Sequence, residues 1–195
     1  MRLILLSPPG AGKGTHCAWL TRETGVAHIS AGDLLRAEIA RGSDLGRRLA
    51  EYTSRGDLVP DDLVFDLITP VVVAAARDTG GYLLDGFPRT LPQALRAQQI
   101  GVQQDLAADA VVYLTAPESV LVDRLLARAG EQGRQDDDPA VIRHRLTVFA
   151  ESTAPLIDHY RGRGLLMEID ADRPVDDIRV DLRRRLADRG LLAEG

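Results

Sequence analysis

The stretch Ser7-Pro8-Pro9-Gly10-Ala11-Gly12-Lys13-Gly14-Thr15 constrains this chain more than any other. The apolar run Leu3-Ile4-Leu5-Leu6 before it reads as a buried strand, and His16 to Glu23 after it reads as a helix. A glycine-rich turn between strand and helix lets backbone N–H groups curve around an anion, and the helix N-terminus adds partial positive charge. Lys13 adds a full charge for outer phosphates. It is the only lysine in the chain; the other 23 basic residues are arginine. A composition that uses the planar guanidinium almost everywhere keeps a compact ammonium at this one place. The stretch departs from the general G-x-x-x-x-G-K-[ST] pattern twice, at Ser7 and at Gly14. Taken alone, it leaves open a glycine-rich turn that binds nothing.

At 195 residues the chain has the length of one domain with a sizeable core. A net charge of −5 argues against a general nucleic-acid-binding surface. A single cysteine excludes an internal disulfide framework. No signal peptide is read at the start, and no apolar run approaches the ~20 residues that span a membrane. The expectation is a cytoplasmic protein with no membrane or nucleic-acid partner. No apolar stripe is left over for a second copy, so a monomer is expected.

Further strand-like runs occur at Ala27-His28-Ile29, Gly81-Tyr82-Leu83-Leu84, Ala110-Val111-Val112-Tyr113-Leu114 and Leu165-Leu166-Met167-Glu168-Ile169, separated by helical patterns. Such runs predict an α/β fold with a parallel sheet covered on both faces. In such sheets ligands bind beyond the carboxyl ends of the strands, and polar residues cluster there. After the second run, Ser30 is placed to cap a helix carrying Asp33 and Arg36. A second helical piece covers about Leu45 to Arg55, and Asp61 or Asp62 is read as the cap of the next helix. After the third run come Asp85-Gly86-Phe87-Pro88-Arg89 and Gln93. Asp85 suits either a helix cap or a carboxylate that organises Mg²⁺ beside a phosphate loop. Arg89 offers a planar fork for a second phosphate, and the Gln93 amide both donates and accepts.

After the fourth run a helix opens at Pro117 and is read to about Leu126. A polar, glycine-containing segment then leads to a long helix ending near Arg161. Arg124, Arg128, Arg134 and Arg145 flank that segment, which favours a shared task over four separate surface charges. Arg183-Arg184-Arg185 read as a solvated face. His16, His28, His144 and His159 form no triad-like pattern, and a structural role is read for each. Cys17 is read as packing.

Together these segments resemble the adenylate kinase family of nucleoside monophosphate kinases, over about Arg2 to Leu186. Ser7-Pro8-Pro9-Gly10-Ala11-Gly12-Lys13-Gly14-Thr15 resembles the family's G-x-P-G-x-G-K-G-T loop, which accounts for Gly14. Ile29 to Arg36 resembles I-S-T-G-D-L-L-R, Leu58-Val59-Pro60 resembles L-V-P, and Leu84 to Thr90 resembles L-D-G-F-P-R-T. Arg124, Arg128, Gly133-Arg134 with Asp136-Asp137, and Arg145 resemble the lid pattern. Only five residues separate Arg128 from Arg134, as in the short-lid form, with no cysteine cluster for a lid zinc.

The resemblance implies a three-layer P-loop kinase fold with a five-stranded parallel sheet. It implies a helical acceptor-binding insertion at 30–60 and a short lid at 127–138. It implies reversible phosphoryl transfer from Mg·ATP to AMP, giving two ADP. Gly10, Ala11, Gly12, Lys13, Gly14 and Thr15 would hold the ATP phosphates, Arg124 would stack on the adenine, and the backbone near Arg173 would read its amino group. Ala31, Arg36, Leu58, Val59, Gly86, Arg89 and Gln93 would bind AMP. Arg128, Arg134 and Arg145 would close on the transferred group, and Asp85 would order the water shell of Mg²⁺ near Thr15, with no direct metal ligand. Asp136 and Asp137 would orient the lid.

Two departures bear on this. Ser7 replaces the loop's first Gly; negative φ is expected there, where Ser carries little strain. Ala31 replaces a Thr that contacts the acceptor base, as in the UMP/CMP kinases of the same family, whereas Thr90 and Gln93 point to AMP. A slow-turnover nucleotide sensor is the alternative of another class, and the full arginine set speaks against it.

Overall fold

The computed structural model describes residues 1–55, 57–132 and 139–193, without the side chains of residues 128–132. Its sheet contains β1 (Arg2–Leu6), β2 (Ala27–Ser30), β3 (Tyr82–Asp85), β4 (Ala110–Thr115) and β5 (Leu166–Asp170). All pairs are parallel, in the order β2-β3-β1-β4-β5. β1 lies at the centre, with Leu3 opposite Leu83 on one side and Ala110 on the other. A central strand covered on both faces must be apolar at successive positions. Leu3 and Leu5 enter one core cluster and Ile4 and Leu6 the other.

The first cluster takes Cys17 and Leu20 from α1 (Lys13–Thr24), Leu121 and Leu125 from α6 (Glu118–Gln132), and Ile178 and Leu182 from α8 (Val175–Ala187). The second takes Phe65 and Ile68 from α4 (Asp61–Thr79) and Ala94 from α5 (Leu91–Gln103). α7 (Pro139–Gly162) serves both layers. Ile142 and Leu146 of its first half enter the first cluster; Leu156 and Tyr160 of its second half enter the second. The expected parallel sheet with helices on both faces is present. No helix among the described residues is long and apolar enough to cross a membrane.

Between β2 and α4 stand α2 (Ala31–Ala40) and α3 (Asp44–Thr53). Ser30 caps α2 as expected, its Oγ accepting from Asp33 N at 3.2 Å. Ser43 caps α3 by accepting from Gly46 N at 2.9 Å, and its hydroxyl donates to Glu38 Oε1 at 2.6 Å. The two helices meet where α3 has no side chain: a methyl group on Gly46 would run into the Glu38 carbonyl.

Two local expectations are corrected. α6 runs on to Gln132 and does not stop near Leu126. Arg128, Ala129, Glu131 and Gln132 are good helix formers, and the single Gly130 costs only about 1 kcal/mol. The N-cap of α4 is Pro60, with no side-chain cap bond. Asp61 and Asp62 face α5 instead, accepting from Gln93 Nε2 at 2.7 Å and from Arg96 at 2.6 Å.

Gly46→Ala is expected to destabilise the protein by about 1–2 kcal/mol, because overpacking against a backbone carbonyl outweighs the better helix propensity of Ala. Urea unfolding checks this: the midpoint should fall with the slope unchanged. An unchanged midpoint would mean that α2 and α3 separate freely.

Candidate active site

The loop from Ser7 to Gly12 joins β1 to α1. Gly10 (φ +88°) and Gly12 (φ +78°, the N-cap of α1) lie in the left-handed region. Gly10 is doubly constrained, since a methyl group there would lie 2.6 Å from the Leu121 carbonyl of α6. Gly14 has neither constraint; the space where its side chain would stand is open. Ser7 is buried and outside the left-handed region, as expected; among the described residues Asp105 is the only non-glycine found there.

Asp85 ends β3, in register with Leu5 of β1 and Ser30 of β2. It is 8% exposed. Lys13 Nζ lies 2.6 Å from its Oδ1, His28 Nε2 3.4 Å from its Oδ2, and the Cys17 thiol points at Oδ2 from 3.8 Å. Burial acts to raise the Asp85 pKa, but the His28 hydrogen bond and the Lys13 charge outweigh it, and the carboxyl sits below its ordinary range. Burial and the neighbouring Asp85 charge push the Cys17 thiol far up, so it stays protonated. His28 therefore does more than pack.

The donor atoms of Cys17, His28 and Asp85 lie within 4.8 Å of one another. The thiol and imidazole do not suit Mg²⁺, which takes hard oxygens. The Asp85 carboxylate and the Thr15 hydroxyl in the first turn of α1 do suit it as holders of its water shell.

A second side of the cleft starts at Gly86 (φ +76°). A methyl group built on Gly86 would lie 3.4 Å from the Arg89 guanidinium, 3.6 Å from Lys13 Nζ and 3.9 Å from Ala31 Cβ. Ala31, Leu58, Val59, Gly86, Arg89 and Gln93, all singled out in the sequence, line one cavity. Leu35, Thr53, Asp57, Val64 and Phe87 complete it and were not singled out. Asp57 adjoins Leu58-Val59, the one signal that points to it.

Gln93 is buried and already engaged: Oε1 accepts from Arg89 N and Nε2 donates to Asp61, both at 2.7 Å. Arg89 Nε donates to the Gly86 carbonyl at 2.8 Å. The Arg89 pKa is lowered, by desolvation and by the like charges of Arg145 and Arg36. Arg89 is nonetheless exposed to solvent. Arg36 pairs with Asp33 at 2.5 Å. The Arg128 side chain, Arg134, Asp136 and Asp137 lie outside the described residues.

On the far side of the phosphate loop, Arg124 donates to the Ala171 carbonyl at 3.1 Å and lies 3.7 Å from Asp172. It ties α6 to the turn that carries Arg173. The Arg173 side chain turns away, bonding the Asp170 carbonyl at 3.1 Å and Asp181 at 3.0 Å. Burial acts to raise the Asp181 pKa, but hydrogen bonds from Arg185, Arg184 and Arg173 hold it at about 2. The arginine run of α8 is therefore paired: Arg184 and Arg185 bind Asp181, and Arg183 binds Glu23.

A family model described as adenylate kinase matches residues 5–165. Curated relatives include the adenylate kinase of Parasynechococcus marenigrum, 46% identical over 91% of this chain and 93% of that protein. The adenylate kinase of Corynebacterium urealyticum is 45% identical over 91% of this chain and 94% of its own length. That of Stenotrophomonas maltophilia is 44% identical, with 91% and 95% covered.

Asp85 releases its proton more readily in the folded protein than at its ordinary value of 3.8. The unfolded chain binds that proton more tightly, so the charge of Asp85 stabilises the fold above about pH 4 and ceases to do so as pH falls through the lowered folded value. Asp85→Asn is therefore expected to lose about 1–3 kcal/mol at pH 7, less than a fully buried pair because Lys13 is partly solvated. The gap should narrow below about pH 4. Urea unfolding of both proteins at pH 7 and pH 3.5 reads this; a gap independent of pH would assign the stabilisation to hydrogen bonding and not to charge.

Proposed function

The chain belongs to the adenylate kinase family, and we propose how its residues divide the transfer of a phosphoryl group from ATP to AMP, giving two ADP. One observation carries the reading. Lys13, from the glycine-rich loop, and Arg89, from the segment after β3, both come close to Gly86, within 3.6 Å and 3.4 Å of a methyl group built there. Two phosphate chains brought to these two cations would meet end to end.

The backbone N–H groups of Gly10 to Thr15 would cradle the ATP phosphates at the N-terminus of α1. Lys13 would leave Asp85 for the outer phosphates. Arg124 would lie over the ATP adenine, with the backbone near Arg173 at its edge. Arg36 and Arg89 would hold the acceptor phosphate by planar forks. Ala31, Leu58, Val59 and Gly86 would enclose the acceptor base. Gln93 would fix Arg89 and offer the base its second amide N–H and remaining lone pair. Arg145, with Arg128 and Arg134, would neutralise the group in flight, and closure of the 127–138 lid and the 30–60 insertion would exclude water.

In the transfer, an AMP phosphate oxygen bonds to the γ-phosphorus of ATP as the bond from that phosphorus to the β–γ bridging oxygen breaks. The attacking oxygen is already anionic, so no side-chain base is needed, and the site offers charge and position instead. Mg²⁺ bound with ATP would supply further neutralisation of the phosphates, and Asp85 and Thr15 would hold its water shell.

Initial rates with Mg·ATP and AMP, dAMP, CMP, UMP or GMP test the reading. AMP should be strongly preferred. Preference for CMP or UMP would mean that Ala31 sets the acceptor, and tight ATP binding without transfer would make the protein a sensor. Lys13→Met should lower kcat by about 10²–10³-fold, the loss that follows removal of one preorganised charge. Arg89→Ala should raise KM for AMP far more than KM for ATP.

A further inference from the structure

Asp57 lines the acceptor cavity beside Leu58 and Val59. Both of its carboxylate oxygens are engaged: Arg55 Nε donates to Oδ2 at 3.0 Å, and His144 Nε2 lies 2.9 Å from Oδ1. The two contacts differ in kind. Arg55 is two residues away and moves with Asp57. His144 is 87 residues away, on α7, directly before Arg145. Its helix is anchored on either side of it by Ile142 and Leu146 in the core. The His144 contact therefore ties the cavity wall to a fixed helix.

Arg36 and Arg145 lie close enough to Arg89 for their charges to act on it. A carboxylate in the wall of a cavity for an anionic nucleotide would repel it, and His144 and Arg55 offset that charge. We propose that Asp57 and His144 form a latch that holds the acceptor wall against α7, and that His144 is thereby a positioning residue for AMP. The latch keeps Leu58 and Val59 near the base while keeping Arg145 near the acceptor phosphate.

The proposal rests on AMP as acceptor. His144 and Asp57 side chains are 46% and 38% exposed, and a pair so solvated shifts affinity by about two- to fivefold. AMP affinity is measured by calorimetry without ATP, alongside steady-state KM for AMP and for ATP. His144→Ala and Asp57→Ala should each weaken AMP by that factor, and the double variant should be no worse than the weaker single, as for two residues in one contact. KM for ATP should stay fixed in His144→Ala, with kcat not lowered. His144→Gln, which keeps a side-chain N–H, should recover part of the loss. Unchanged AMP affinity in His144→Ala, additive losses in the double variant, or an equal rise in KM for ATP would overturn the latch. Calorimetry needs no turnover, so a fault in the catalytic reading shows in the wild-type rate and a fault in the latch in the ratio of AMP affinities.

Discussion

The site depends on Asp85 staying charged inside the protein. A carboxylate at the end of a covered strand is driven by burial toward its neutral form, and Lys13 at 2.6 Å with His28 at 3.4 Å reverses that drive. A buried ion pair of this kind roughly breaks even against apolar packing of the same volume, so stability alone does not explain it. What it supplies is a poised charge. The pair holds Lys13, a flexible point charge, beside the glycine-rich loop. In the proposed transfer, incoming phosphates would exchange one anionic partner of Lys13 for another, which avoids stripping the ammonium of a counter-ion.

Topology gathers the other parts around that pair. In a parallel sheet every strand ends on the same edge, so the loops after β1, β2 and β3 open side by side although Ser7, Ser30 and Asp85 are far apart in sequence. Gly10 lets the glycine-rich loop press on α6 at the Leu121 carbonyl, the helix that carries Arg124. α7 contributes from a third direction. Because its two halves pack on opposite layers, its first half carries His144 and Arg145 across the carboxyl edge of the sheet.

The strands, the parallel order and the phosphate loop were legible because each is encoded locally: apolar runs of four to six residues, then glycines where only left-handed backbone closes the turn. Six residues singled out from the chain line one cavity, and Ser30 caps α2 as read. What was not legible depended on partners distant in sequence. Asp61 and Asp62 look like caps until α5 brings Gln93 and Arg96 beside them. The arginines of α8 are largely solvated, as read, but the pairing of Arg183 with Glu23 of α1 needed the fold. The end of α6 was misjudged because one glycine and a polar run resemble a loop, although their summed helix propensity is favourable. Asp57 carries no motif of its own, and its contact with His144 needs the tertiary fold to exist.

The uneven use of lysine and arginine follows from what each must do. Arg36, Arg89 and Arg145 stand on different elements, and in the proposed transfer they would recognise phosphate oxygens in fixed orientations, which a planar, always charged fork does better than an ammonium. Lys13 would have the opposite task. It is paired with Asp85 and would follow charge toward a group that moves between two nucleotides, which a compact head on a four-carbon stem permits. In the transfer proposed above, the neighbouring charges that lower the Arg89 pKa would attract an acceptor phosphate placed among the arginines, so that anion binding would draw side chains from three separate elements onto one group.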